Sequence, residues 1–220
     1  MISKKKRFNN KILIIIPAKN EYNNLKKLLK FIQKINADIL IVDDNSSDKT
    51  LDLKKNFKKI KIIKNKYSCG YDKSIKIGIK FAISKYHYVI TMDADLEHNP
   101  KYLFNFISLI KKNNYLVVGE RDRKNRYLEK LFGFIIKKIY KINDLFCGYR
   151  AINLKKFHKK YLSNNYDIPC IIFNYHLKHK KTFNIKIKTP KRQGISRFGN
   201  FYTGNKKIIL QFLSIFFRKI

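Results

Sequence analysis

Four short apolar runs recur along the first half of the chain at a spacing that suits strand–helix–strand crossovers. Ile12-Leu-Ile-Ile-Ile16, Asp38-Ile-Leu-Ile-Val42, Ile60-Lys-Ile-Ile63 and Tyr88-Val-Ile-Thr-Met92 are rich in β-branched residues. The first is apolar at every position, the pattern of a central parallel strand buried on both faces. Segments of helical spacing lie between them. Asn20 is expected to cap a helix carrying Leu25, Leu28, Leu29 and Ile32, with Glu21 near its positive amino end. Gly70 to Ser84 reads as a helix that packs closely through small residues, Pro100 to Ile110 as an amphipathic helix, and Leu116-Val-Val118 as a further strand. This alternation predicts an α/β fold, a doubly wound and mostly parallel sheet with helices on both faces.

In such a sheet, ligands bind at the carboxyl ends of the strands, and the acidic residues of this chain fall there. The second run stops at Asp43-Asp44 and the fourth at Asp93-Ala94-Asp95, with Glu97 and His98 following. Two carboxylates two residues apart offer the oxygen ligands that Mg²⁺ and Mn²⁺ prefer, although two acids near a strand end also describe a solvated turn. His98 reads as a turn residue, because hard cations favour oxygen. Asp44 and Asp48 read as residues that shape the turn.

The pattern changes after about residue 120. Tyr127, Leu128, Leu131, Phe132, Ile135, Ile136 and Ile139 form an apolar helical face, expected to be core or a lid over an acceptor. Lys and Arg total 50 against 15 acids, a formal +35 that attracts any polyanion. Much of that charge is generic lysine, and only eight residues are arginine, six of them between 121 and 197. Arginine kept at particular points suggests phosphate, whose oxygens its planar fork grips with two parallel hydrogen bonds. Cys69, Cys147 and Cys170 have neither metal-ligand spacing nor a disulfide pattern, so a reduced, cytosolic setting is expected. The apolar stretch after the basic start is too short for a signal peptide, and no segment reaches the roughly 20 apolar residues of a membrane span. From Lys206 the tail mixes lysines with Ile208, Phe212, Leu213 and Phe216. It suits either an anionic membrane interface or a terminal helix packed on protein.

Three segments, Pro17-Ala-Lys-Asn-Glu21, Val42-Asp-Asp-Asn-Ser-Ser-Asp-Lys-Thr50 and Met92-Asp-Ala-Asp-Leu-Glu-His-Asn-Pro100, resemble in order and spacing the family 2 glycosyltransferases. The subgroup they resemble is that of dolichyl-phosphate mannose synthases and related polyprenyl-phosphate sugar transferases. Val118-Gly-Glu-Arg121, Asp144-Leu-Phe-Cys-Gly-Tyr-Arg150 and Gly194-Ile-Ser-Arg197 extend the match to about residue 200. The resemblance implies an A-type glycosyltransferase fold, and the lengths of the apolar runs lead to no expected transmembrane span. Residues 1–203 would form one domain, with a nucleotide-sugar half at about 8–120, an acceptor half at 121–203 and a tail at 204–220.

The resemblance implies a donor site of Pro17, Lys19, Glu21, Asp43, Asp93, Ala94, Lys191, Arg192 and Arg197. It implies Mg²⁺ or Mn²⁺ on Asp93 and Asp95, with Glu97 where relatives often carry a glutamine ligand. Arg121, Arg126 and Arg150 would meet the acceptor phosphate, and Asp93, Asp95 and Arg121 would carry catalysis. For Arg150 a structural pair with Asp144 is favoured over phosphate.

The expected reaction is inverting transfer of a hexose, from GDP-mannose or UDP-glucose, to polyprenyl phosphate at the cytosolic membrane face. Relatives often carry membrane helices after the catalytic domain, so a separate anchoring subunit or the tail alone would hold the chain there. A saccharide hydroxyl is the alternative acceptor, with Asp144 as its base. A processive synthase is disfavoured by the lack of tryptophan. Binding to nucleic acid is the remote reading, because charge alone does not call for ordered acidic motifs.

Overall fold

The computed structural model describes residues 11–112, 114–123, 126–190 and 201–217, the side chains of 201–203 excepted. The chain runs β1 (Ile12–Ala18), α1 (Tyr22–Ile32), β2 (Asp38–Asp43), α2 (Leu53–Asn56), β3 (Ile60–Lys64), α3 (Tyr71–Ala82) and β4 (Tyr88–Thr91). It continues through α4 (Leu103–Lys111), β5 (Leu116–Arg121), α5 (Tyr127–Tyr140), β6 (Arg150–Asn153), α6 (Ile168–His179), β7 (Thr182–Ile187) and α7 (Phe201–Phe217). One sheet takes all of these strands in the order β3-β2-β1-β4-β6-β5-β7. Every β1 residue is buried. Ile12, Ile14 and Ile16 join a core with α1 and α4, whereas Leu13 and Ile15 join a second core with α3 and α6. A central strand with helices on both faces has no side to expose, which is why its sequence does not alternate.

Local chemistry fixes how these elements meet. A Cβ on Gly78 would lie 2.5 Å from Ile15 Cγ2, so only glycine lets α3 sit this close to β1. Pro17 continues β1 beyond the last pair with β4, Ile15 with Thr91, where no ladder partner calls for its missing N–H. The expected Asn20 cap is not formed. Asn20 takes the left-handed conformation, φ 56°, and its side chain accepts from Ser47 N at 2.8 Å, while Glu21 occupies the cap position of α1.

Two features depart from a doubly wound sheet. β6 inserts antiparallel between β4 and β5, pairing Arg150 with Thr91 on one side and Val118 on the other. α5 is largely not core. Tyr127, Leu131, Phe134 and Ile139 are exposed, Ile136 is buried, and Phe132 stacks on Phe212 of α7 with ring centroids 4.0 Å apart. α7 in turn packs on α5 and α6 through Ile208 and Ile215 while turning Leu210, Leu213 and Phe217 outward. Among the described residues no helix is long and apolar enough to cross a membrane.

Candidate active site

The carboxyl ends of β1, β2 and β4 face one region, and hydrogen bonds tie their loops together. Asp44 N donates to Ala18 O at 2.8 Å, and Asn20 N donates to Ser46 Oγ at 2.9 Å. Asp44 accepts from Asn65 Nδ2, Ser68 Oγ, Cys69 N and Gly70 N, all at 2.8–2.9 Å. Burial pushes its carboxyl up, but these bonds outweigh burial and hold it well below the usual range. Asp48 accepts from Tyr22 N at 2.9 Å and from Thr50. Both therefore build the loop, as their sequence context suggests.

Asp43 differs. It is fully buried, and its Oδ1 accepts from Ser46 N at 3.2 Å. Its Oδ2 has no hydrogen-bond partner among the described residues, which leaves a buried acceptor oxygen at the carboxyl end of β2. Beside it, Lys19 donates to Ser68 Oγ at 2.9 Å from an exposed position, and Glu21 Oε2 accepts from Asn24 Nδ2 at 2.7 Å. Pro17 and Ala94 are buried at the strand ends.

The loop after β4 is shaped from beneath by residues that sequence reasoning missed. Asp93 N donates to His98 Nδ1 at 3.1 Å, and His98 is buried with its ring stacked on Tyr149 at 5.0 Å. Burial first, then the positive Arg121 and Arg150, push the His98 pKa down to about 3. The imidazole is therefore neutral and its 3.6 Å approach to Asp93 Oδ2 is not an ion pair. Only its distance from Asp93 in sequence, and the aromatic in the Asp144–Arg150 loop, signalled this contact. Gly148 is the second such residue. A Cβ there would lie 2.6 and 2.9 Å from the two Asp93 oxygens and 2.8 Å from the Tyr71 hydroxyl, so Asp93 and Tyr71 converge over a bare glycine.

Asp93, Asp95 and Glu97 share one short loop, in which Glu97 N donates to Asp95 Oδ1 at 3.2 Å. Among the described residues no three acidic, cysteine or histidine side chains are gathered as a ready metal cage. The all-oxygen set still suits Mg²⁺ or Mn²⁺, which are commonly held by one or two carboxylates together with substrate phosphates.

The arginines separate sharply. Arg121, at the end of β5, grips Asp144 through Nε at 2.7 Å and Nη2 at 3.0 Å and lies 3.7 Å from Glu129. The structural pair expected for Arg150 and Asp144 is therefore made by Arg121 instead, because β5 ends directly over the buried Asp144. Arg150 is 2% exposed and donates through Nη2 to Leu145 O at 2.8 Å. Its Nε and Nη1 have no partner among the described residues, and no ion pair reaches it there. All 15 acids of the chain lie in the described segments. Arg126 lays its guanidinium on α7, where a Cβ at Gly204 would come within 2.5–2.6 Å of it. Lys191, Arg192 and Arg197 lie outside the described residues.

Comparison with known proteins gives this geometry its place. The family model described as glycosyl transferase family 2 matches residues 13–201. A protein of Methanocaldococcus jannaschii described as uncharacterized is 35% identical over 162 residues, 64% of this chain and 71% of its own. A dolichol-phosphate mannosyltransferase of Pyrococcus furiosus is 32% identical over 126 residues, 54% of this chain but only 35% of that relative. Among solved structures, residues 1–349 of S. aureus TarS in complex with UDP superpose with a TM-score of 0.59 at 14% identity, covering 81% of this chain and 60% of that one. With the mostly parallel sheet and its acidic strand ends, these matches show that the chain has the A-type glycosyltransferase fold and belongs to glycosyl transferase family 2.

Proposed function

We propose that the chain transfers a hexose, with inversion, from a nucleoside diphosphate sugar such as GDP-mannose or UDP-glucose to a polyprenyl phosphate at the cytosolic face of a membrane. The observation that carries this reading is Arg150, a buried guanidinium with two nitrogens lacking partners among the described residues. It is paired across the ladder with Thr91, two residues before Asp93. A buried cation without a counter-charge is costly, and a phosphate supplies the missing acceptors.

The acceptor phosphate arrives already anionic. One of its oxygens attacks the anomeric carbon while the bond to the diphosphate breaks and its electron pair leaves with the nucleoside diphosphate. The nucleophile has no proton to lose, so the site needs positioning and charge stabilisation and no base. Attack by a saccharide hydroxyl needs one, and Asp144 is 1% exposed and gripped by Arg121. That pairing disfavours the hydroxyl reading. On the donor side, Asp43 accepts from base or ribose, with Pro17, Lys19 and Glu21 beside it. Asp93 and Asp95 are the residues proposed to hold Mg²⁺ or Mn²⁺, which would supply neutralising charge for the departing diphosphate. The likeness to the mannosyltransferase supports the same acceptor class, over about half of this chain.

A lipid acceptor also suits the outer surface of the second half. α5 and α7 turn out Leu131, Phe134, Leu210 and Leu213 and also carry the exposed Lys130 and Lys206, a mixture fitted to an anionic bilayer. Arg126, at the start of α5, lays its guanidinium against Gly204 of α7. Incubation with radiolabelled GDP-mannose or UDP-glucose, polyprenyl phosphate and Mn²⁺ tests the proposal. Label extracted with the lipid is expected. Label transferred only to a water-soluble saccharide would refute it.

A further inference from the structure

β4 ends its pairing with β1 at Thr91, with Met92 N still donating to Ile15 O at 3.2 Å. Asp93 N is the next amide. Asp93 is buried and lies beyond the last pair of β4 with β6, Thr91 with Arg150, so no strand lies opposite to accept from its amide. The chain solves this by turning back on itself. Leu96 takes the left-handed conformation, φ 64°, unusual for a residue with a branched side chain. Glu97 N caps Asp95 Oδ1 within the turn. His98 thereby arrives beneath Asp93 and offers Nδ1 to its amide at 3.1 Å.

The imidazole is itself held. Tyr149 stacks on one face, and Tyr149 stacks in turn on Phe106 of α4 at 4.2 Å with the rings 10° from parallel. Cys147 Sγ lies 3.8 Å from Nε2, which fixes the other end of the ring. A column of side chains thus runs from Phe106 of α4 through Tyr149, just before β6, and His98 to the backbone of Asp93.

We infer that His98 is a positioning residue whose Nδ1, by accepting the Asp93 amide, closes the Asp93–His98 loop into a ring and fixes the direction of the Asp93 and Asp95 carboxylates toward the donor diphosphate. The inference rests on the proposed function only for what those carboxylates hold. Partners that orient a metal-binding side chain from behind typically change metal affinity about 10- to 100-fold when removed.

Two substitutions divide the acceptor from the packing. His98→Phe keeps a ring to stack on Tyr149 and deletes the acceptor. His98→Asn deletes the ring and keeps an oxygen near the place of Nδ1. Hydrogen exchange of the Asp93 amide, measured on the ligand-free full-length chain, is expected to be slow in wild type and His98→Asn and at least about tenfold faster in His98→Phe. The affinity for GDP or UDP in the presence of Mn²⁺, measured by calorimetry, is expected to fall about 10- to 100-fold in His98→Phe and to be largely restored in His98→Asn. The opposite ranking, with His98→Phe retaining both properties and His98→Asn losing them, would show that the ring only packs and would overturn the inference. Wild type binding neither nucleotide with Mn²⁺ would overturn the donor reading alone, and the exchange measurement would still decide the role of His98.

Discussion

Gly148→Ala is a small change at the most crowded point of the site. The new Cβ would lie 2.6 and 2.9 Å from the Asp93 oxygens and 2.8 Å from the Tyr71 hydroxyl, where ordinary contact begins at 3.4 Å. The Asp93 carboxylate must therefore retreat by about 0.5–0.8 Å, or the glycine must move. Its backbone resists, because Gly148 O accepts from Thr91 Oγ1 at 2.7 Å within the sheet. Overpacking of this kind costs about 1–3 kcal/mol, and a chain of this length loses about 2–4 °C per kcal/mol, so the Tm should fall by about 2–12 °C. Function should suffer more than stability, since misplacing a reactive group by about 1 Å can cost about 100-fold. Initial rates of sugar transfer are expected to drop about 10- to 100-fold, with Mn²⁺-dependent nucleotide binding weakened in parallel. Thermal denaturation and calorimetric titration on the same preparations check both. An alanine variant with unchanged Tm and nucleotide affinity within about twofold of wild type would refute the claim that Asp93 is seated against a bare glycine.

Three further outcomes follow from the same geometry. Arg150→Met removes a buried charge that lacks a counter-ion and loses one hydrogen bond, so stability measured by chemical denaturation should be unchanged or raised by up to about 2 kcal/mol. Transfer to polyprenyl phosphate should fall at least about 100-fold in the same variant, and loss of stability with acceptor use intact would contradict the assignment. Asp44 has its carboxyl pKa lowered on folding, so its stabilisation is fully present above about pH 4 and is lost as pH falls toward the folded value. Asp44→Asn should therefore destabilise by about 1.5–3 kcal/mol at pH 7, and its deficit against wild type should shrink as pH falls below about 4. Combining Phe134→Asp with Leu213→Asp on the exposed α5–α7 face should abolish flotation with anionic vesicles while changing stability by no more than about 1 kcal/mol, and undiminished flotation would remove that face from the membrane reading.

Much of the first half was legible because its signals are local. Apolar runs such as Ile12–Ile16 mark buried strands wherever they occur, and Asp43 and Asp93 stand directly at their ends. β6 carried no such signal. Arg150-Ala-Ile-Asn153 has neither periodicity nor a long apolar stretch, and it is a strand only because β4 and β5 leave a place between them. The partner of Asp144 was illegible for a similar reason. Both Arg121 and Arg150 lie near it in the fold, and the choice depends on where β5 ends, which no local pattern records. The apolar face of α5 was legible as apolar, and of the two expectations for it, core or lid, the core one does not hold, because periodicity reveals a face but not what covers it. His98 looked like a turn residue since its acceptor role depends on a backbone amide stranded beyond the sheet.

The antiparallel strand that escaped sequence reasoning also explains how one sheet presents two kinds of chemistry. A doubly wound half gathers acids at strand ends, suited to a nucleotide, but its parallel strands all point the same way and supply nothing from the opposite direction. Residues 144–151 enter β6 against that direction. Within this run Asp144 meets Arg121, Cys147 and Tyr149 hold His98, Gly148 seats Asp93, and Arg150 brings a cation to the ladder beside Thr91. Donor carboxylates and the candidate acceptor cation are therefore positioned by the same short segment. A shift of β6 by one residue would turn Arg150 to the other face of the sheet and move Gly148 off Asp93 at once. The register of β6, more than any single charged residue, is what couples the two halves of the proposed transfer site.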